Sequence, residues 1–372
     1  MNDSISIKLD KIYDLYPKQR LEKSKARFIA LDNGEKPVDR YPFVLGFPYF
    51  NAYNINHPPK ERLEAFLDAF CFMYQLDDDT IPYVFPGLNH ATLPSMFGAA
   101  EIKCGIESTS EKIIKSNSDA LNLPDPSISK GSAAYKWIEM ADYILEKTKG
   151  RIPVNVCDMQ GPFDACAQVW SYDDMFVAAY EKPEVFHSII SKFTDAFIML
   201  WKKQKDILGK SFLGTHLFSQ GWVPSECGVS VSADSLVMVS PDFYNEFYKP
   251  YIIRMYRELG DLTIHSCGDF RHLISELCET DGIKAINASQ LSSREMHEAG
   301  LDSKIQMLLA VNYENLENEI KYMKENNLNI RWAVYGVTPM TEEKYEHPER
   351  WTEEDFKEIY QRIENIKEIM KV

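Results

Sequence analysis

In the segment 262–269, LTIHSCGD, a histidine and a cysteine stand two residues apart at the end of an apolar run of strand length. Two residues is the repeat of a β-strand, so His265 and Cys267 project to one side if that run is extended. An imidazole nitrogen and a thiolate are natural zinc ligands, and Gly268 lets the chain turn sharply after them. A zinc site needs a third donor, and without one the pair reads equally as a buried histidine beside an inert cysteine. The nearest donors are Glu226 and Cys227 in FSQGWVPSECGVSVSAD, a Pro- and Gly-bearing stretch that follows another strand-like run. Neighbouring residues rarely bind one ion together, so at most one of these two is expected to contribute; an exposed Glu and a packed Cys is the alternative.

Two further loops carry polar groups that could reach the same place. Asp158, Gln160 and Gly161 follow the apolar run IPVNVC and precede Pro162, where a helix can start. Asp158 there is an acid, a base, a partner holding His265 in one tautomer, or a cap on the next helix. Asn89 and His90 in FPGLNHATLPSMFG are positioned to line a substrate cleft. His216, inside a strand-like run, reads as a core histidine.

The elements that must position these residues alternate between helix and strand. Apolar residues recur at helical spacing from Leu63 to Tyr74 and again at about 133–148, 183–208, 242–258, 270–280, 314–325 and 353–370. Ser240 before Pro241 reads as an N-cap with proline at the first helical position, and Thr352 with Asp355 as a capping box. Pro250 should bend or end the helix it falls in. Between the helices lie the short apolar runs IPVNVC, FLGTHLF, LTIH, IKAINA, IQMLLA and IRWAVYG, with YPFVLGF and PYVF before them. Such continuous apolar content suits parallel strands covered on both faces. The number of units approaches the eight of a (β/α)8 barrel, whose chemistry sits at the carboxyl ends of its strands; a doubly wound open sheet is the competing arrangement. One domain spanning 1–372 is expected, with 1–75 as an N-terminal extension with the first helices and 76–372 as the barrel body.

Composition narrows the function. The chain has 372 residues, 45% hydrophobic, and a formal net charge of −15. It is long enough to bury a large core, and an acidic chain without a basic patch repels nucleic-acid phosphates and anionic lipid. No apolar run approaches the length of a membrane span, and seven dispersed cysteines suit reduced thiols in a cytoplasm. A phosphate-binding glycine loop, a dinucleotide fingerprint and a serine nucleophile elbow are all missing from the sequence.

Four stretches, QGPFDACAQVW from Gln160, SPDFYNEFYKP from Ser240, HSCGDFRHLISEL from His265 and YGVTP from Tyr335, occur in an order that resembles the uroporphyrinogen decarboxylase superfamily, particularly its corrinoid-linked methyltransferases. The likeness extends over about 150–340, with DDDTIPYVFP from Asp77 as weaker support. It implies a (β/α)8 barrel with an N-terminal helical extension. It also implies one of two chemistries. Decarboxylases of the superfamily grip tetrapyrrole carboxylates with an arginine-rich segment near the N-terminus, where this chain reads DRYPFVLGFPYFNAYN with Arg40 as its single basic residue. Porphyrinogen carboxylates would be desolvated there without cationic partners.

The methyltransferases instead hold zinc with a His-x-Cys pair, matched by His265 and Cys267, and a later Cys, at whose place this chain has Tyr335. Glu226 or Cys227 would then complete the ligand set, and one carboxylate donor would favour a methoxyl oxygen over a thiol. The resemblance thus implies a cytoplasmic zinc enzyme that moves a methyl group between a small O-methyl donor, or a thiol acceptor, and cobalamin carried by a partner corrinoid protein. Asp158 would be catalytic, with Asn89, His90, Gln160 and Tyr335 toward the substrate. A metal-free decarboxylase and a non-catalytic ligand-binding barrel with a degenerate metal site are the alternatives.

Overall fold

The computed structural model describes residues 4–46, 57–105, 107–214, 222–224, 229–337 and 350–372. Its strands are β1 (Phe43–Leu45), the hairpin β2 (Glu101–Cys104) and β3 (Glu107–Ser110), β4 (Val154–Asn155), β5 (Phe212–Leu213), β6 (Val229–Ser232), β7 (Leu262–Ser266), β8 (Ile283–Ala288), β9 (Gln306–Asn312) and β10 (Ile330–Tyr335). Six of them form one parallel sheet in the order β1-β10-β9-β8-β7-β6. Val84 and Leu88 form parallel bridges to Val154 and Asp158, which adds two further strand positions. The ring closes where Asp79 N donates to Phe43 O at 3.0 Å and Gly161 N donates to Ser232 O at 2.6 Å. The six and the two make the eight of a (β/α)8 barrel, and β5 runs alongside β4.

Residues in register on parallel strands face the same way. Ser232 is level with His265, His265 with Asn287, and Asn287 with Leu308. Leu308 packs with Val223 and Ala285, apart from the main core, so this row faces into the barrel. Val44 and Ala333 meet Phe28 in a second inner cluster, and Arg331 lies with its guanidinium 4.1 Å from the Phe28 ring centre. The main apolar core lies outside the strands, between them and the surrounding helices.

Helix boundaries follow the local signals closely. Alternating with the strands are α1 (Ser4–Leu15), α2 (Lys18–Asp32), α3 (Pro59–Met73), α4 (Ala133–Thr148), α5 (Pro162–Val169), α6 (Pro183–Leu208), α7 (Lys249–Leu259), α8 (Leu316–Glu325) and α9 (Glu353–Ile369), with further helices such as Tyr172–Glu181 and Pro241–Phe247 between them. Ser240 Oγ accepts from Phe243 N, and Thr352 with Asp355 closes both bonds of a capping box. The helix expected over 242–258 breaks at Tyr248, and Pro250 lies in the first turn of the second piece, α7.

Two sequence expectations need revision. The first barrel strand is β1 at 43–45, inside the segment read as the extension. The residues VSVS, in the Pro- and Gly-bearing stretch around Glu226 and Cys227 that was not counted among the strand-like runs, supply β6. Its alternation of Val and Ser looks half-exposed, yet all four residues are buried because the serines face a polar barrel interior.

The extension is tied to the barrel by charge. The fully buried Asp79 carboxylate accepts from Ser24 Oγ (3.0 Å), Arg27 Nη1 (2.6 Å), Arg40 Nη1 (2.5 Å) and Phe43 N (3.1 Å). Removing one partner of such a network strands the others in low dielectric. Asp79→Ala is therefore expected to lower stability by roughly 3–5 kcal/mol in denaturant unfolding. A loss below about 1 kcal/mol, the range of exposed pairs, would show the cluster to be hydrated.

Candidate metal centre

β7 delivers His265 inward at its carboxyl end, and the next turn brings Cys267 back to it, with Sγ 3.6 Å from His265 Nε2. Gly268 follows at φ +79, and a Cβ there would lie 2.7 Å from Val237 Cγ1, so both its backbone and its surroundings call for glycine. Its N–H donates to Gln290 Oε1 at 2.5 Å, and Cys267 Sγ lies 3.6 Å from Ser289 Oγ.

The third donor is Asp234, two residues beyond β6. Its Oδ1 accepts from Cys267 N at 2.7 Å and lies 3.7 Å from His265 Nε2. Asp234, His265 and Cys267 offer ligand atoms that all fall within 4.8 Å of one another, and among the described residues they are the group of this kind. Sequence reading missed Asp234 because the strand before it was not counted among the strand-like runs. Once β6 is recognised, SAD follows a strand end as SCGD follows β7, and that was the available signal.

The chemistry of the donors fits zinc. Tetrahedral zinc with Zn–S near 2.3 Å and Zn–N near 2.0–2.1 Å separates sulfur and nitrogen by about 3.6 Å, the separation present here. The histidine tautomer fits as well. Asn287 Nδ2 donates to Leu308 O at 2.6 Å, which leaves Asn287 Oδ1 to accept from His265 Nδ1 at 2.7 Å. Nδ1 then carries a proton in either charge state of the ring, and Nε2, facing Asp234 and Cys267, is the nitrogen that zinc would take in exchange for its proton. Burial opposes a charge on His265, but Cys267, Asn287 and Asp234 outweigh it and raise its pKa to about 9.

Behind the donors lies a second layer. Asp164 on α5 accepts from Asp234 N at 2.6 Å and from Ser235 N at 3.2 Å, with Ser235 Oγ also against it. Burial, reinforced by the nearby Asp234 carboxylate, raises the Asp164 pKa to about 7 despite the bonds it accepts from Ser235 and Asp234.

Asp158 lies one strand further round. It is buried, accepts from Gln160 N at 2.8 Å, and its two oxygens lie 3.3 and 3.2 Å from Ser232 Oγ. It is not the cap of α5, whose N-cap is Gly161 without a side-chain bond. Gln160 holds a left-handed backbone, φ +62, that allows this tight turn. Gly161 is fixed by space, since a Cβ there would meet Ser232 O at 2.5 Å.

The remaining sequence candidates scatter. Tyr335 ends β10 on the inward side, with its ring so close to Gly46 that a Cβ on that glycine would overlap it. Asn89 is buried and closes its own loop, donating from Nδ2 to Glu101 Oε1 at 2.8 Å and accepting from Ala91 N at 2.8 Å. His90 is half-buried in the adjoining turn. Glu226, Cys227 and His216 lie outside the described residues. Cys71, Cys104, Cys157, Cys166, Cys267 and Cys278 are free thiols. Among the described residues no helix is long and apolar enough to cross a membrane.

Fold and site together define an α/β barrel with an Asp-His-Cys donor cluster at the carboxyl ends of its strands. No protein-family profile and no curated sequence matches the chain. Among solved structures it is similar to a methyltransferase from Methanosarcina mazei, with a TM-score of 0.61 and 15% identity over 92% of this chain and 98% of that one. It also aligns with a B12-independent methionine synthase from Shewanella sp. W3-18-1 in complex with selenomethionine, at a TM-score of 0.48 and 11% identity over 88% and 96% of the two chains. The first of these shares the fold.

Two substitutions check the geometry. Asn287→Ala removes the acceptor that sets the histidine tautomer and should weaken zinc binding about 10–100-fold in chelator competition; unchanged affinity would show that Asn287 does not set it. Gly161→Ala should cost about 1–3 kcal/mol of stability by overpacking against the Ser232 carbonyl, read from thermal unfolding.

Proposed function

We propose that the chain is a zinc-dependent methyltransferase, moving a methyl group between a small O-methyl donor and the corrinoid of a separate protein, with a thiol as the less favoured methyl acceptor. The observation that carries this reading is the convergence of Asp234, His265 and Cys267 at the barrel mouth. The shared fold with the Methanosarcina mazei methyltransferase supports it. Three protein donors is the usual number in catalytic zinc sites, which keep a position for substrate. Zinc held by these residues would supply Lewis acidity toward a substrate oxygen. A carboxylate in place of a second thiolate makes the set harder, which favours a methoxyl oxygen over sulfur.

The chain's own residues supply orientation and proton transfer. Asn287 fixes His265, and the Asp164 layer fixes the backbone that carries Asp234. In the transfer the methyl C–O bond would break as the partner's reduced corrinoid supplies the electron pair that takes the methyl, the oxygen leaving with the C–O pair and gaining a proton for which Asp158 is the proposed source. Gln160, Tyr335 and His90 are proposed to contribute to the substrate rim, while Asn89 would act by holding the loop that carries His90. Decarboxylation is disfavoured because Arg40, the single cation in the segment where the decarboxylases carry theirs, is held by Asp79 and by Tyr41 O.

Metal analysis of the purified protein should find about one zinc per chain, retained by Asp158→Asn and lost in His265→Ala, Cys267→Ala and Asp234→Ala. Methyl transfer from a methoxylated aromatic donor should require an added corrinoid protein in its reduced state. Metal-free wild-type protein, or vigorous methyl release by the isolated chain, would overturn the reading.

A further inference from the structure

At the opposite end of the barrel lies a cavity of about 270 Å³. Its walls are α1 and α2, the residues leading into the strands at Val84 and Val154, and the 3-10 turn Gly209–Ser211 before β5. It is therefore remote from the carboxyl-end donors. Leu9, Ile12 and Pro82 make part of the wall apolar, and Tyr13 adds an aromatic face.

The polar part of the wall has one sign of charge. Lys25, Arg151 and Lys210 line it, and no Asp or Glu does, although the chain as a whole carries a net charge of −15. Arg151 Nη2 donates to Asp10 Oδ1 at 2.5 Å on the outer side. Among the described residues Lys25 and Lys210 have no acidic partner, and the Lys25 ammonium lies 5.5 Å from the Trp222 ring centre. Two ammonium groups with no acidic partner among the described residues, beside apolar surface, make a local positive potential that favours an anion.

We propose that this cavity binds a small amphipathic anion, a single ring or short chain bearing a carboxylate or phosphate ester, with its head against Lys25 and Lys210 and its body against the apolar wall. Occupancy would clamp the first two helices onto the barrel, stabilising the folded state by mass action without touching the metal centre.

The test uses calorimetric titration and thermal melting of the intact protein. The probes are benzoate and phenyl phosphate, with inorganic phosphate and benzyl alcohol supplying head and body alone. At least one amphipathic anion should bind one-to-one and raise the melting temperature, with both single-part probes at least tenfold weaker. Which of the two binds tells a carboxylate from a phosphate ester. The double variant Lys25→Ala/Lys210→Ala, with Lys25 half-buried and Lys210 exposed, should weaken that probe at least tenfold. Cys267→Ser should leave it unchanged. No saturable binding in the millimolar range, inorganic phosphate binding as tightly as phenyl phosphate, equal affinity in the double variant, or loss of binding in Cys267→Ser would each overturn the proposal.

Discussion

The parallel register of β6, β7 and β8 is the constraint on which the site depends. It sets Ser232, His265 and Asn287 side by side on the inner face, and each must find its hydrogen bonds inside the barrel because water is excluded there. They do so sideways, from Asp158 through Ser232 on one flank and from His265 through Asn287 to the Leu308 carbonyl on the other. A slip of one residue on any of these strands would turn its polar group into the apolar layer beneath the helices. The row that orients the imidazole also pins the sheet register. Structural and chemical roles rest on the same bonds.

Charge is distributed by the same economy. Where a carboxylate is buried without a function the structure surrounds it with cations and N–H groups, as at Asp79, which joins α2 to the start of β1. At the mouth the acid groups are instead left with lone pairs in hand. Asp234 spends one oxygen on Cys267 N and has nearly half of its side chain exposed. That contrast separates a carboxylate whose lone pairs are all taken up from one with lone pairs still open to a ligand. The polar groups of the mouth sit on backbone that cannot drift, with Gly161 and Gly268 each at positions where a side chain would collide.

Much of this was legible in the sequence, and the reasons differ by element. The helices α4 and α6 begin and end within a residue of their apolar stripes, because a helix needs only local periodicity and a cap. His265 and Cys267 were legible because a two-residue spacing after an apolar run has one geometric meaning. The strand β6 was not, since VSVS shows the alternation of a half-exposed strand and its serines are buried only because the barrel interior there is polar. Losing that strand concealed Asp234. Asn89 illustrates the converse: a polar residue in a Pro- and Gly-rich loop looks available, yet its amide is taken up by Glu101 and its own turn.

The sequence by itself determined the alternation of helix and strand, and the placing of one imidazole and one thiol at the end of a single strand. Both follow from interactions between residues close along the chain. Which acid meets them, which amide orients the imidazole, and which arginine is drawn into Asp79 were decided by tertiary structure alone. Those partners lie far apart along the chain, and only closure of the ring brings their atoms within hydrogen-bonding or metal-ligating reach of one another.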